Sequence, residues 1–174
     1  MLLDAVLSAR IKDAEEPIGL LRSVLQGARA LVVGAGPSCV KCREVRSSYD
    51  VIICADGANA YGDNIPLLTT SLPPILEVST GVIGTSQCLV SSRVRIFGGF
   101  TDGDRAAYLA SYFNARRIGL VGFDFSGVVG RYSKPFMARE AHASSVKLRK
   151  LKWARALLAY LRSWRSEEYV VWEG

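Results

Sequence analysis

The sequence predicts an α/β fold: an open, mostly parallel sheet with helices on both faces, preceded by an N-terminal helical segment. Three observations carry this reading. Short, wholly apolar runs recur along the chain, as strands buried on both faces require. Segments of helical period separate them. The runs break into Gly- or Asp-containing turns, the pattern at strand ends in open α/β sheets. The 174 residues are 49% hydrophobic and 22% charged, a mix that suits one globular unit and excludes a disordered chain.

Leu3, Val6, Leu7 and Ile11, then Leu20, Leu21, Val24 and Leu25, recur at helical spacing. Pro17 and Gly19 are expected to split this run into two helices, and Gly27 to end the second. Residues 1–28 thus form a helical segment ahead of an α/β domain, 29–174. Ala30 to Val33 is the first strand. Gly34-Ala-Gly-Pro-Ser38 follows, and Pro37 and Ser38 open a helix expected to reach Tyr49. Val51 to Ala55 is a second strand, Val82-Ile83 a weaker third and Val94 to Phe97 a fourth. Ser71 to Pro74 reads as a loop. A helix is expected over Asp104 to Ala115, and a fifth strand over Ile118 to Val121. The longest helix, Ser145 to Trp164, carries Val146, Leu148, Leu151, Ala154, Leu157, Leu158 and Leu161 on its apolar side. Tyr169 to Trp172 closes the chain as an edge strand.

Charge narrows the partners. Lys and Arg number 22 against 16 Asp and Glu, a net +6, which favours an anionic partner: a nucleotide, a phosphorylated substrate or a nucleic acid. No apolar run nears the roughly 20 residues of a membrane span, and the first residues lack the pattern of a secretory leader. A cytoplasmic protein with no membrane partner is expected. The four Cys are then expected as thiols. Cys39-Val-Lys-Cys42 stands at a helix start, where the dipole lowers a thiol's pKa; Cys54 is expected buried in its strand. His142 is the sole histidine, expected on an exposed helix, and supports no catalytic triad.

Ligands of open α/β sheets bind outside the carboxyl ends of the strands. The turns 34–38, 56–64, 97–105 and 122–127 are therefore expected to meet at one cleft. Gly34, Gly36 and Ser38 suit an anion at a helix N-terminus, although a bare strand-to-helix turn accounts for them equally. Cys39 stands where a dinucleotide fingerprint has its third glycine, which disfavours a Rossmann dehydrogenase. Asp56, Asp63, Asp102, Asp104 and Asp124 offer hard oxygen ligands for Mg²⁺, and Asp102 or Asp104 could instead cap the helix that follows. Phe97 to Arg105 is the most specific segment. Gly98-Gly99 frees the backbone, Thr101 offers a hydroxyl, two carboxylates follow, and Arg105 can fork onto phosphate. Lys147, Arg149, Lys150 and Lys152 open the longest helix and either reach phosphates or form a solvated face. Arg131 to Lys134 is a polar loop that could cover the cleft.

Ala55-Asp-Gly-Ala58, Gly62-Asp-Asn64, Gly84-Thr-Ser-Gln87, Phe97-Gly-Gly-Phe-Thr-Asp-Gly-Asp-Arg-Ala106, Gly122-Phe-Asp-Phe125 and Lys147-Leu-Arg-Lys-Leu151 occur in that order. Together they resemble the archaeal 6-hydroxymethyl-7,8-dihydropterin pyrophosphokinases, whose catalytic domain is similar to that of thiamin pyrophosphokinase. The resemblance runs from about Leu31 to Leu161. It implies transfer of diphosphate from ATP, with Mg²⁺, to the hydroxymethyl group of a reduced pterin. AMP is the other product, and the step serves tetrahydromethanopterin or folate-type synthesis. On that resemblance, Asp56, Asp63, Asp102 and Asp104 hold the metal, and Asp102, Asp104, Arg105 and Lys147 are catalytic. Gly34, Gly36, Ser38, Thr85, Gln87, Gly98, Gly99, Thr101 and Arg149 face the nucleotide, while Asp124 and Asn64 face the pterin. A carboxylate such as Asp124 can accept two N–H bonds from the pterin's guanidine-like edge. The chain departs from the family where only Asn59, Ala60 and Tyr61 separate Ala58 from Gly62; family members carry a further strand and an acidic motif there. The alternative is a relative that binds pterin or nucleotide without turnover. A homodimer is the expected assembly. A nucleic acid is disfavoured, because the acidic turns would repel its backbone.

Overall fold

A computed structural model of the chain describes residues 15–55, 67–69, 83–87, 94–129, 133, 140–165 and 169–173. Its strands in chain order are β1 (Arg29–Val33), β2 (Val51–Cys54), β3 (Leu67–Thr69), β4 (Gly84–Thr85), β5 (Val94–Arg95), β6 (Arg117–Val121), β7 (Val128–Val129), β8 (Ala141–His142) and β9 (Val170–Trp172). Its α-helices are α1 (Glu15–Leu25), the single turn α2 (Cys42–Val45), α3 (Asp102–Tyr112) and α4 (Ser145–Arg165). Five strands form the main sheet in the order β3-β2-β1-β6-β9, every pair parallel. The α/β class expected from the sequence is the one observed.

Register positions the site. Val33 pairs with Cys54 on one side and Val121 on the other. The three central strands therefore end level, and their following turns emerge side by side. The chain passes from β1 outward to β2 and later returns to β6 on β1's opposite flank. The junction of β1 and β6 is thus the point where strand order reverses, where open α/β sheets form their ligand crevice.

Alternation along β1 explains why its run is apolar throughout. Ala30 and Val32 face a core shared with Leu25 of α1, Ala106 and Ala110 of α3, and Leu158 and Leu161 of α4. Leu31 and Val33 face the opposite core, with Cys39, Cys42, Tyr49, Ile52, Cys54 and Val121. Tyr108 donates its hydroxyl hydrogen to the Leu157 carbonyl at 3.0 Å, fastening α3 to α4.

Several expectations are corrected. Pro17 and Gly19, expected to separate two helices, both lie inside α1, and the first expected helix lies outside the described residues. Pro17 sits in the first turn, where a missing N–H costs nothing. The helix expected over 37–49 is a 3₁₀ segment (Pro37–Lys41), the turn α2 and a second 3₁₀ segment (Arg46–Ser48). The strand β3 was not expected. The third and fourth strands, expected in the main sheet, are β4 and β5, two residues each, paired in a separate small sheet. Val82 lies outside the described residues, and Ile83 precedes β4. His142 is exposed, as expected, but stands on β8 opposite Val128 rather than on a helix. The edge strand near the chain's end is present as β9. Residues 1–14 and the loop 71–74 lie outside the described residues.

Candidate functional site

A cleft of about 340 Å³ opens at the carboxyl edge of β1 and β6. Gly34 to Gly36, Phe100 to Gly103, Gly122 to Phe125, and Lys147 and Lys150 of α4 all line it. Three of the four turns expected to converge therefore do so. The fourth, 56–64, lies outside the described residues with Asp56, Asp63 and Asn64; Ala55, at the end of β2, reaches the cleft.

One wall is closed by backbone packing. Gly122 sits at φ +76°, in the left-handed region, and a Cβ there would press into the Gly34 carbonyl. A Cβ on Gly34 would meet the Gly122 oxygen at 2.6 Å. The amides of Gly34 and Gly36 donate to Val121 and Gly122 at 2.8 and 3.0 Å. These glycines are explained by two turns in direct backbone contact. The Ser38 N–H, expected to meet an anion, donates instead to both carboxylate oxygens of Asp124, at 3.3 and 3.1 Å. An acidic side chain from the turn after β6 thus occupies the anion position of this turn. Asp124 stays exposed and lines the cleft, and two carboxylate oxygens have acceptor capacity to spare.

The opposite wall is the 97–105 turn. Thr101 caps α3 and forms a reciprocal capping box with Asp104. Asp104 is fully buried and accepts from the Phe100 and Thr101 amides at 2.6 Å each, and from the Thr101 hydroxyl. Its carboxylate is absorbed in shaping the turn. Gly99, at φ +80°, lets that turn fold back; a Cβ there would lie 2.6 Å from the Arg105 nitrogen. Gly98 packs against the Tyr108 ring. Neither glycine lines the cleft. Asp102, two residues before Asp104, is 38% exposed and ion-paired with Arg105. Arg105 also donates to the Thr85 carbonyl at 3.3 Å, joining β4 to α3, while its buried Nε has no partner among the described residues. Gln87 donates to the Phe100 carbonyl and borders the cleft. Thr85 acts through its backbone.

α4 supplies cations. Lys147 is half-buried and Lys150, one turn on, is exposed; both line the cleft. Arg149 and Lys152 are exposed and stand off it. Of the four cations expected either to reach phosphates or to form a solvated face, Lys147 and Lys150 line the cleft. Phe123, which packs on Gly103 of α3, had no signal beyond its place between Gly122 and Asp124. Ser133 lines the cleft, whereas Arg131, Tyr132 and Lys134 lie outside the described residues. The Cys39–Cys42 pair is fully buried, and burial pushes the Cys42 thiol up, the reverse of the dipole effect expected. Cys54 is buried as expected, its thiol pushed up to about 12 by desolvation. Among the described residues no group of three or more His, Cys, Asp or Glu is placed to hold a metal, and no helix is long and apolar enough to cross a membrane.

Fold and site together define an α/β chain with a cationic, acid-edged cleft at its topological switch point. No family model matches the chain. It is 48% identical over 105 residues to a Pyrococcus furiosus protein, covering 60% of this chain and 43% of that relative. Over 104 residues it is 44% identical to one from Methanothermobacter thermautotrophicus, covering 59% and 43%. It is 28% identical over 196 residues to one from Methanocaldococcus jannaschii, covering 84% and 79%. All three are curated as 6-hydroxymethyl-7,8-dihydropterin pyrophosphokinase. The resemblance drawn from the motifs is therefore borne out. The matches span under half the length of the first two relatives. The third alignment runs over more positions than the chain's 174 residues, so that relative carries residues with no counterpart here.

Proposed function

We propose that the chain transfers diphosphate from ATP to the hydroxymethyl group of 6-hydroxymethyl-7,8-dihydropterin, releasing AMP. The observation that carries this reading is the switch-point cleft, in which Asp102, Arg105, Lys147 and Lys150 face one space about 340 Å³ in volume. In the step proposed, the hydroxymethyl oxygen forms a bond to the β-phosphorus as the bond from that phosphorus to the bridging α–β oxygen breaks. The hydroxyl proton is released, and AMP leaves with the bridging oxygen.

The residues divide the work. Arg105 is held by Asp102 and the Thr85 carbonyl, which aims its guanidinium at the cleft, where its remaining terminal N–H groups are donors for a phosphate oxygen. Lys147 and Lys150 add charge on the facing wall and orient the transferred group. Asp104 builds the turn that places Asp102 and Arg105. Asp124 is proposed to accept N–H groups of the pterin's guanidine-like edge. Mg²⁺ fits this donor set, because it commonly takes one or two carboxylates and completes its shell with water and substrate phosphates. Asp102 would hold it, with Asp56 and Asp63 as further candidates. When bound it would neutralise phosphate charge.

The test is AMP formation, followed by phosphorus NMR, with Mg²⁺, ATP and the reduced hydroxymethyl pterin. The reading requires AMP only when both substrates are present. ATP left intact beside a pterin that binds would favour a second reading, a ligand-holding relative without turnover. That reading is supported by the commitment of Asp104 to the helix cap and by the short Ala58–Gly62 connection. Synthesis of a pterin-derived cofactor, a cytoplasmic location and a homodimer remain parts of the proposal.

A further inference from the structure

A second hollow, about 580 Å³, lies beside the cleft and shares Phe123, Asp124 and Phe125 with it. Its floor is aromatic. Phe123, Phe125 and Trp172 contact one another with ring centroids 6.0–6.2 Å apart. Its far wall is α4, which presents Arg155, Ala159 and Arg162. Two features mark it as more than a packing fault. Phe125 is held at φ +50°, a conformation a bulky residue adopts rarely and at a cost. Trp172 remains 40% exposed at the carboxyl end of β9, with its aromatic contacts among the described residues made to Phe123 and Phe125.

We infer that this hollow binds the flat heterocycle of the acceptor, which rests on the Phe123–Phe125–Trp172 cluster under Arg155 while Asp124 grips its edge. The inference rests on the reaction proposed above and deepens it by separating the two substrates: phosphates in the cationic cleft, acceptor ring in the aromatic hollow. Asp124, at the border of both, sets the choice of ring. A carboxylate only accepts, so it matches two adjacent N–H donors. A pterin presents them on its 2-amino and N3 positions. Adenine sets each face of its amino group beside a ring-nitrogen acceptor, which a carboxylate repels. Arg155, which is exposed, brings a guanidinium plane that stacks on flat rings and donates to a ring carbonyl.

Calorimetry with the oxidised 6-hydroxymethylpterin tests this on the whole chain, without ATP and without turnover. Trp172→Ala and Arg155→Ala should each weaken pterin binding about ten-fold, as loss of one stacking partner does. Trp153→Ala removes an exposed tryptophan elsewhere on α4 and should change nothing. Binding of Mg²⁺–ADP should stay unchanged in all three. Arg155 is exposed, so its variant remains informative should Trp172→Ala lose its thermal transition. Equal pterin binding by wild type and both variants would overturn the inference and leave the proposed reaction standing. Loss of nucleotide rather than pterin affinity would place the adenine here and overturn it as well. No pterin binding by the wild type would remove the proposed reaction itself, and this inference with it.

Discussion

The two walls of the cleft are built from similar residues, yet they are built differently. The wall made by turns 34–38 and 122–124 is closed: glycine backbones touch, and Asp124 takes the Ser38 amide. The wall made by turn 97–105 is divided. Asp104 is buried in the cap of α3, while Asp102 and Arg105 stand toward the space between. A Gly-rich or Asp-containing turn at a strand end is therefore not evidence of a ligand until the use of its hydrogen-bonding groups is known. Two aspartates two positions apart divide into one buried in the turn and one left facing the cleft, because the capping box of α3 takes Asp104 as its acceptor.

The contrast can be broken at the closed wall first. Gly122→Ala forces a Cβ into the Gly34 carbonyl at a positive φ. It should cost roughly 3–5 kcal/mol from strain and overpacking, read as a lowered urea midpoint. A loss under about 1 kcal/mol would mean that the turns separate readily. At the divided wall, Asp104→Ala strips the Phe100 and Thr101 amides of their acceptor and should cost about 2–3 kcal/mol of stability. Asp102→Asn should shift stability by less than about 0.5 kcal/mol but lower turnover about 100-fold, the scale of one lost electrostatic contact. Similar stability losses in the two variants would erase the distinction between these aspartates.

Thiol labelling sharpens the comparison without altering the cleft. Cys42 and Cys54 lie buried behind the closed wall with their thiols held protonated by desolvation. At pH 8 they should resist a thiol reagent until the chain unfolds; fast labelling of either would mean that the wall opens. The smallest effect belongs to the far edge of the sheet. There Arg29 bonds Asp50 at 2.6 Å and holds its carboxyl down at about 2. A depressed carboxylate stabilises the fold above the ordinary carboxylate range, and the gain disappears as pH falls from about 4 through about 2. The pair is exposed, so Asp50→Asn should cost under about 1 kcal/mol near neutrality and nothing below pH 2. An undiminished gap at pH 2 would contradict the assignment.

Legibility in the sequence followed burial. β1, β2 and β6 stood out because each is apolar on both faces, and the level register of β1 with its two neighbours made the convergence of turns readable from their positions alone. β4 and β5 were misplaced because two-residue strands carry too little period to separate a main sheet from a side ladder. The segment 37–49 reads as one helix because Pro37 signals a start, while nothing local reveals that its turns tighten to bury Cys39 and Cys42. At the site, residue types were legible and commitments were not. Asp102 and Asp104 look alike in sequence, and Ser38 cannot announce that a residue 86 positions away occupies its amide. The aromatic hollow escaped because β9 brings Trp172 to Phe123 and Phe125 only once the sheet is assembled.

The central claim is that a metal-bound triphosphate sits between these two walls. A crystal structure with Mg²⁺ and a non-hydrolysable ATP analogue tests it most directly. The account predicts phosphate oxygens within hydrogen-bonding distance of Arg105 and Lys147, with the cation on Asp102. Phosphates bound away from the junction of β1 and β6, with Asp102 still paired only to Arg105, would contradict it.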